Sequence, residues 1–253
     1  MPIVFAAITP HPPLLIPAIG KEKASLVEKT HASFLRLEEA LYISKPQVIV
    51  IISPHTSLFP DAFTVNGHTT FATAFQEFGD MVTTQSWHGA PELAALVSHH
   101  AKKFHLPVQV VSQEALDHGA TIPLFFLTEH LPDVKILPVG YSNLSREEHV
   151  RFGNLLKEAL LDANKRVAVI ASGDLSHTEP GRTFDEALLR ALKANDVQSI
   201  LSIPEGTVTA AKECGYRSIL IALGMLEHMH TTFSAYSYET PVDIGYAVGN
   251  FHL

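Results

Sequence analysis

Val48-Ile49-Val50-Ile51-Ile52-Ser53-Pro54-His55 is the stretch whose reading decides the fold. Five β-branched aliphatics in a row are short for a helix, and Pro54 cannot donate to a sheet ladder. The run therefore reads as a strand buried on both faces that stops at Ser53. His55 then arrives just beyond the carboxyl end of the strand, where open α/β sheets bind their ligands.

Upstream, Ile3 to Thr9 reads as a first strand, ended by Pro10-His11-Pro12-Pro13. Between the two strands, Leu26, Phe34, Leu37 and Leu41 recur at helical spacing across Glu22 to Leu41. A strand, a helix and a second strand make a βαβ unit whose right-handed crossover leaves the strands parallel. His11 and His55 are then predicted at the same end of the sheet.

Downstream the alternation continues. Helices are predicted over Pro91–Phe104, from Ala120 to Glu129, and over Ser145–Ala163, the last opened by a Ser145/Glu148 capping box. Strands are predicted over Pro107–Val111, Val134–Val139 and Arg166–Ala171. The last of these runs into Ser172-Gly173-Asp174-Leu175-Ser176-His177, repeating the logic of the opening stretch. Phe184–Asn195 and Val197–Ile203 follow as helices. Another helix starts over Gly206–Cys214 and resumes through Ile219–Met225, and strands close the chain from Tyr236 to Phe251. Phe59 to Trp87 reads only as a turn-rich excursion with short strands. Without an internal repeat, low-complexity tract or linker, residues 1–253 read as a single α/β domain, a mostly parallel or mixed central sheet between layers of helices.

A chain of 253 residues with 46% hydrophobic content can bury a full core. Its 18 basic against 26 acidic residues give a formal charge of -8, and no basic cluster tracks a phosphate backbone, so nucleic acid is not an expected partner. The lone Cys214 excludes an intrachain disulfide. No apolar run approaches the roughly 18 residues of a membrane span, and no leader pattern opens the chain; the expectation is a cytoplasmic protein without a membrane partner.

Fifteen histidines are the compositional feature with chemical content. His99, His100, His105, His228 and His230 fall on or at the ends of helices and read as surface or structural. His11, His55, His118 and His177 instead sit among turn residues beside short apolar runs. Two imidazoles and one carboxylate make the facial site of non-haem Fe(II) enzymes that activate dioxygen, whereas three histidines or an added cysteine suit zinc better.

Pro10-His11-Pro12-Pro13-Leu14-Leu15, Ser53-Pro54-His55, Leu116-Asp117-His118-Gly119 and Ser172-Gly173-Asp174-Leu175-Ser176-His177 resemble, in that order, motifs of the class III extradiol dioxygenases, the LigB-like family with its Memo-like branch. The resemblance implies a metal at the carboxyl ends of the strands. It makes His11 and His55 metal ligands, His177 the catalytic acid/base and His118 a second active-site histidine that contacts substrate. The implied third ligand is a glutamate or histidine in ring-cleaving members and a cysteine in Memo-like proteins. Glu213-Cys214-Gly215-Tyr216-Arg217 offers two of these types side by side. Glu213 is taken as the metal ligand because it completes the two-histidine, one-carboxylate set; Cys214 is the alternative and Glu239 a weaker rival. Asp174 reads equally as an orienting residue or a helix cap, and Arg217 as a substrate partner or a solvated arginine. The expected metal is Fe(II), with zinc possible. The expected partners are O2 and a catechol-like or aminophenol-like aromatic, in a homodimer; the alternative is a Memo-like binding or redox protein without ring cleavage.

Overall fold

The computed structural model describes residues 3–253. Ten strands form one mixed sheet: β1 (Ile3–Thr9), β2 (Val48–Ser53), β3 (Phe63–Asn66), β4 (Thr70–Ala72), β5 (Ser86–Gly89), β6 (Val108–Val111), β7 (Lys135–Gly140), β8 (Val167–Ser172), β9 (Thr232–Glu239) and β10 (Tyr246–His252). The helices are α1 (Pro17–Gly20), α2 (Glu28–Ser44), α3 (Pro91–Phe104), α4 (His118–Leu127), α5 (Arg146–Ala163), α6 (Arg182–Lys193), α7 (Val197–Leu201), α8 (Glu205–Ala211) and α9 (Tyr216–Met225). The main strand order is β4-β5-β7-β2-β8-β1-β10-β9, with β3 joining β7 to β6 at one side.

The predicted single α/β domain is found, and the hydrophobic pattern explains its layers. Along β2 every residue is buried, and alternate side chains enter different cores. Val48, Val50 and Ile52 pack with α3, α5, α6 and α9, while Ile49 and Ile51 pack with α2 and α4. β8 divides the same way, Val167, Val169 and Ala171 against Ala168 and Ile170. Period-two alternation with apolar residues on both faces is what a sheet covered on both sides requires.

The expected parallel relation of β1 and β2 holds, but they are not neighbours. β8 lies between them, parallel to both, with Ile8 opposite Ala171 on one side and Ile52 opposite Ala171 on the other. Three strand ends therefore finish on one edge, at Thr9, Ser53 and Ser172. The helix predicted from Glu22 is a 3-10 segment over Lys21–Val27 that becomes α-helical only at Glu28. Ser145 caps α5 through the Glu148 N–H at 3.2 Å; the Glu148 carboxylate pairs with Arg151 instead of completing the box. The helix predicted over Gly206–Cys214 ends sooner, and its continuation begins before Ile219. α8 ends at left-handed Lys212, φ 52°, and α9 starts at Tyr216, so Glu213 to Gly215 form an interhelical turn.

α5 and α9 cross with their backbones in contact. A Cβ on Gly153 would lie 2.1 Å from the Ile221 carbonyl oxygen, and one on Gly224 would lie 2.1 Å from that of Val150. Neither helix can yield without moving its share of the core. Gly153→Ala is expected to destabilise the protein by about 1–3 kcal/mol, seen in thermal unfolding as a midpoint lowered by roughly 2–10 °C; an unchanged midpoint would show that the crossing is looser than its glycines imply.

Candidate metal centre

His11, two residues beyond β1, is 2% exposed. Its ring orientation follows from a proton count. Ser172 Oγ donates to the Gly119 carbonyl at 2.6 Å and lies 3.0 Å from His11 Nδ1. A serine hydroxyl has one proton, here committed to Gly119, so the second contact runs from Nδ1–H of His11 to the serine oxygen. Nε2 is left with its lone pair facing inward, the tautomer a metal ligand needs. The backbone N–H of His11 donates to Asp174 Oδ1 at 2.9 Å, tying the end of β1 to the turn after β8.

His55 arrives from β2 at a right angle to this ring. The two Nε2 atoms are 3.1 Å apart and the ring planes meet at 82°. The gap between the two nitrogens is one that an ion 2.0–2.1 Å from each could span. Ser53, the last residue of β2, accepts the His55 N–H at 3.3 Å and donates its hydroxyl to Asp117 Oδ1. Asp117 also caps α4 through the Ala120 N–H at 3.1 Å. A Cβ on Gly119 would lie 2.6 Å from Ser53 Oγ and 3.2 Å from His55 Cδ2, so only glycine lets α4 start this close.

His118 opens α4 rather than ending a strand. Its ring stacks on His55 with centroids 4.3 Å apart and planes at 26°. The nitrogens of His11, His55 and His118 form one cluster of metal-ligand type.

A second cluster, His11, Asp174 and Cys214, shares only His11 with the first. Cys214 Sγ is 3.7 Å from His11 Nε2 and accepts the Asp174 N–H at 3.2 Å. The Asp174 carbonyl in turn accepts the N–H groups of Cys214 and Gly215 at 3.2 and 3.0 Å. Glycine is required on both sides of this contact: a Cβ on Gly173 would lie 2.1 Å from Gly215 Cα. Asp174 Oδ2 lies 3.8 Å from His11 Nε2 and 3.9 Å from His177 Nε2. His177 is held by its N–H to the Ala211 carbonyl at 2.8 Å, and its buried Nδ1 has no partner among the described residues.

Burial, reinforced by His55, His118 and His177, holds His11 well below the ordinary imidazole range. Burial and His118 lower His55, with Asp117 and Glu77 opposing. Both are thereby kept neutral and able to ligate. Burial raises the Asp174 carboxyl to about 7 against the His11 N–H, and it pushes the Cys214 thiol up with Asp174 adding to the effect. A cation at His11 would reverse both directions.

Of the expected site residues, His11, His55, His118 and His177 converge. Glu213 does not join them. Its Oε2 accepts the Tyr216 N–H at 2.5 Å, capping α9 in a neighbouring pocket lined also by His149, Lys212 and Arg217. Consecutive side chains in the tight 213–215 turn diverge, and the Gly173–Gly215 contact turns Cys214, not Glu213, toward His11. Glu239 accepts the N–H and hydroxyl of Thr30 at 2.9 and 2.6 Å, a structural tie to α2. Arg217 lies over the Tyr141 ring, 5.6 Å from its centroid. Ser172 and Glu77 carry no site signal in the sequence: Ser172 reads as a strand end, and Glu77 lies in the turn-rich excursion, 3.2 Å from His118 Nδ1.

The family model described as "Catalytic LigB subunit of aromatic ring-opening dioxygenase" matches residues 5–249, and the chain belongs to this family. "Protein CA_C1420" of Clostridium acetobutylicum is 30% identical over 260 residues, covering 95% of this chain and 56% of its own length. "MEMO1 family protein PAE0818" of Pyrobaculum aerophilum is 29% identical over 173 residues, covering 62% of this chain and 58% of its own. The chain thus spans little more than half the length of each of these relatives. The crystal structure of uncharacterized protein JW3007 from Escherichia coli K12 shares the fold, with a TM-score of 0.68 at 14% identity, covering 98% of this chain and 99% of that one. No helix among the described residues is long and apolar enough to cross a membrane.

Ser172→Ala removes the acceptor that fixes His11. The expected result is zinc affinity weakened by about 10–100-fold in calorimetric titration; the fold should survive, at a cost of about 1–3 kcal/mol for the Gly119 carbonyl left without its donor. Unchanged zinc affinity would refute the proton count.

Proposed function

We propose that this LigB-family chain is a metal-dependent oxidoreductase of Memo-like type, its ion held by His11, His55 and the Cys214 thiolate. The observation that carries this reading is the 3.7 Å approach of Cys214 Sγ to His11 Nε2 while Glu213 is engaged in capping α9. The donor chemistry fits a metal: two neutral imidazoles, one with its tautomer fixed by Ser172, and a thiol that receives a backbone N–H. His55 and Cys214 belong to different clusters around His11, so binding would involve a small closing movement of side chains. A thiolate in the set moves the preference toward softer ions than a carboxylate would. Fe(II) suits oxygen chemistry and zinc is the alternative; bound there, the ion would supply Lewis acidity and, as iron, one-electron chemistry toward O2.

The chain's own residues would handle protons and orientation. His177 presents Nε2 toward Asp174 and would take a proton from a substrate hydroxyl or return it. Asp174 would steady the charged imidazole, and the stacked His55–His118 pair offers a flat wall to a planar molecule.

A second reading, opening of a catechol-like or aminophenol-like ring by O2, is favoured by the acid/base placement of His177. A cavity of about 430 Å³ beside His55, lined also by Asn66, Glu77, Gln113 and Asp117, could admit a small aromatic.

Cobalt(II) loading under anaerobic conditions separates the ligand sets. Cys214→Ala is expected to abolish the thiolate-to-cobalt charge-transfer band and to weaken binding by more than the roughly 10–100-fold that loss of a supporting partner costs, whereas Glu213→Gln keeps both. Retention of the band in Cys214→Ala, or its loss in Glu213→Gln, would sink the assignment. Oxygen uptake by the Fe(II) protein with a panel of catechols and aminophenols decides the second reading.

A further inference from the structure

The turn that directs Glu213 away from His11 borders a second cavity, of about 420 Å³, between the start of α5, the end of α8 and the start of α9. Arg146 builds one wall of it. One guanidinium nitrogen donates to the Leu201 and Ile203 carbonyls at 2.8 and 2.5 Å, the other to Glu205 Oε2 at 2.6 Å, and the group lies 5.2 Å from the centroid of the Tyr216 ring. The Tyr216 hydroxyl is spent on the Ile200 carbonyl at 2.6 Å. His149 is fully buried, with its ring nitrogens against the carbonyl oxygens of Ser145 and Ser142. Burial lowers it to about 4, so it adds no charge near neutral pH.

Two cations of the lining are not engaged in this way. The half-buried Arg217 and the exposed Lys212 have no carboxylate within ion-pair distance among the described residues. The Arg217 guanidinium lies over Tyr141, and Glu213, which shares the lining, is turned to the Tyr216 N–H. Arg146, Lys212 and Arg217 against Glu205 and Glu213 leave the cavity with one net positive charge, in a chain whose formal charge is -8. Charges drawn out of bulk water are ordinarily paired. Here the partner is left to come from outside.

We propose that this cavity binds a small carboxylic acid as its anion, with Arg217 and Lys212 as the counter-charges. The planar guanidinium fork matches the two oxygens of a carboxylate. A single negative charge balances the lining, whereas a dianion would add repulsion from Glu213. The 18-residue α5 turns its amino end to the same space through Ser145 and Arg146, which favours an anion further. Asn143 and Thr209 offer amide and hydroxyl groups to the remainder of the molecule, so a short hydroxy acid fits better than an apolar one. The cavity shares only the 213–215 turn with the metal cluster, and the inference does not depend on which residues hold the ion.

The test uses the full chain, 15N-labelled and stripped of metal, titrated with L-lactate in exchange for chloride at constant ionic strength and read from backbone amide shifts. Amides of the turn from Lys212 to Arg217 are expected to move and saturate. Arg217→Gln should weaken lactate binding by about 10–100-fold, the range for a hydrogen bond to a charged group. Lys212→Gln should weaken it by about two- to fivefold, while Lys29→Gln on the exposed side of α2 leaves it unchanged. Sulfate, a dianion, is expected to bind more weakly than lactate. Absence of saturable shifts at that turn, tighter binding of sulfate, or an affinity unchanged in Arg217→Gln and Lys212→Gln would overturn the proposal. Circular dichroism checks the variants, and the exposed Lys212 keeps the test decisive if loss of the guanidinium over Tyr141 disturbs the fold.

Discussion

Two hydroxyls at the ends of neighbouring strands hold the site in place. Ser172 ends β8 and Ser53 ends β2, and each spends its single proton on the segment around α4, one on the Gly119 carbonyl and one on Asp117. Each oxygen then remains free to accept from a histidine unit, the ring of His11 or the backbone of His55. Sheet, helix start and imidazoles thus form one hydrogen-bonded unit. A buried polar network of this kind is costly when any member lacks its partner, which makes it a strong constraint on geometry.

The rest of the scaffold serves this constraint. Apolar residues on both faces of β1, β2 and β8 make those strands too well packed to slide, so their ends are fixed relative to one another. Glycine appears where two backbones must touch at the site: Gly119 under His55, and Gly173 against Gly215 beside Cys214. Such contacts explain how an interhelical turn more than 150 residues from β2 in sequence can address the same few cubic ångströms.

Much of this was legible in the residues. β-branched runs gave β1, β2 and β8, and the histidines just past the first two strands reached a common edge because parallel strands end together. Strand order was not legible, since nothing local in Val167–Ser172 says that it inserts between the other two. Nor was the choice between Glu213 and Cys214, because adjacent residues in a turn face opposite ways and the outcome is set by a long-range glycine contact. Glu77 lay hidden for a related reason. It comes within 3.2 Å of His118, 41 positions away, through turns with no hydrophobic period to reveal them.

The placement of β8 has a consequence for how the molecule comes into being. Among the described residues β1 pairs only with β8 and β10, both drawn from position 167 onward. Until residues 167–172 are available, β1 has no ladder to join, and His11 has neither Ser172 nor Asp174 to orient it. Pairings this distant in sequence form late and slowly. During synthesis the apolar β1 waits as an unpaired edge, open to aggregation or to a chaperone. The complete centre is therefore a product of finished folding, and an ion arriving earlier would meet scattered histidines instead of a site.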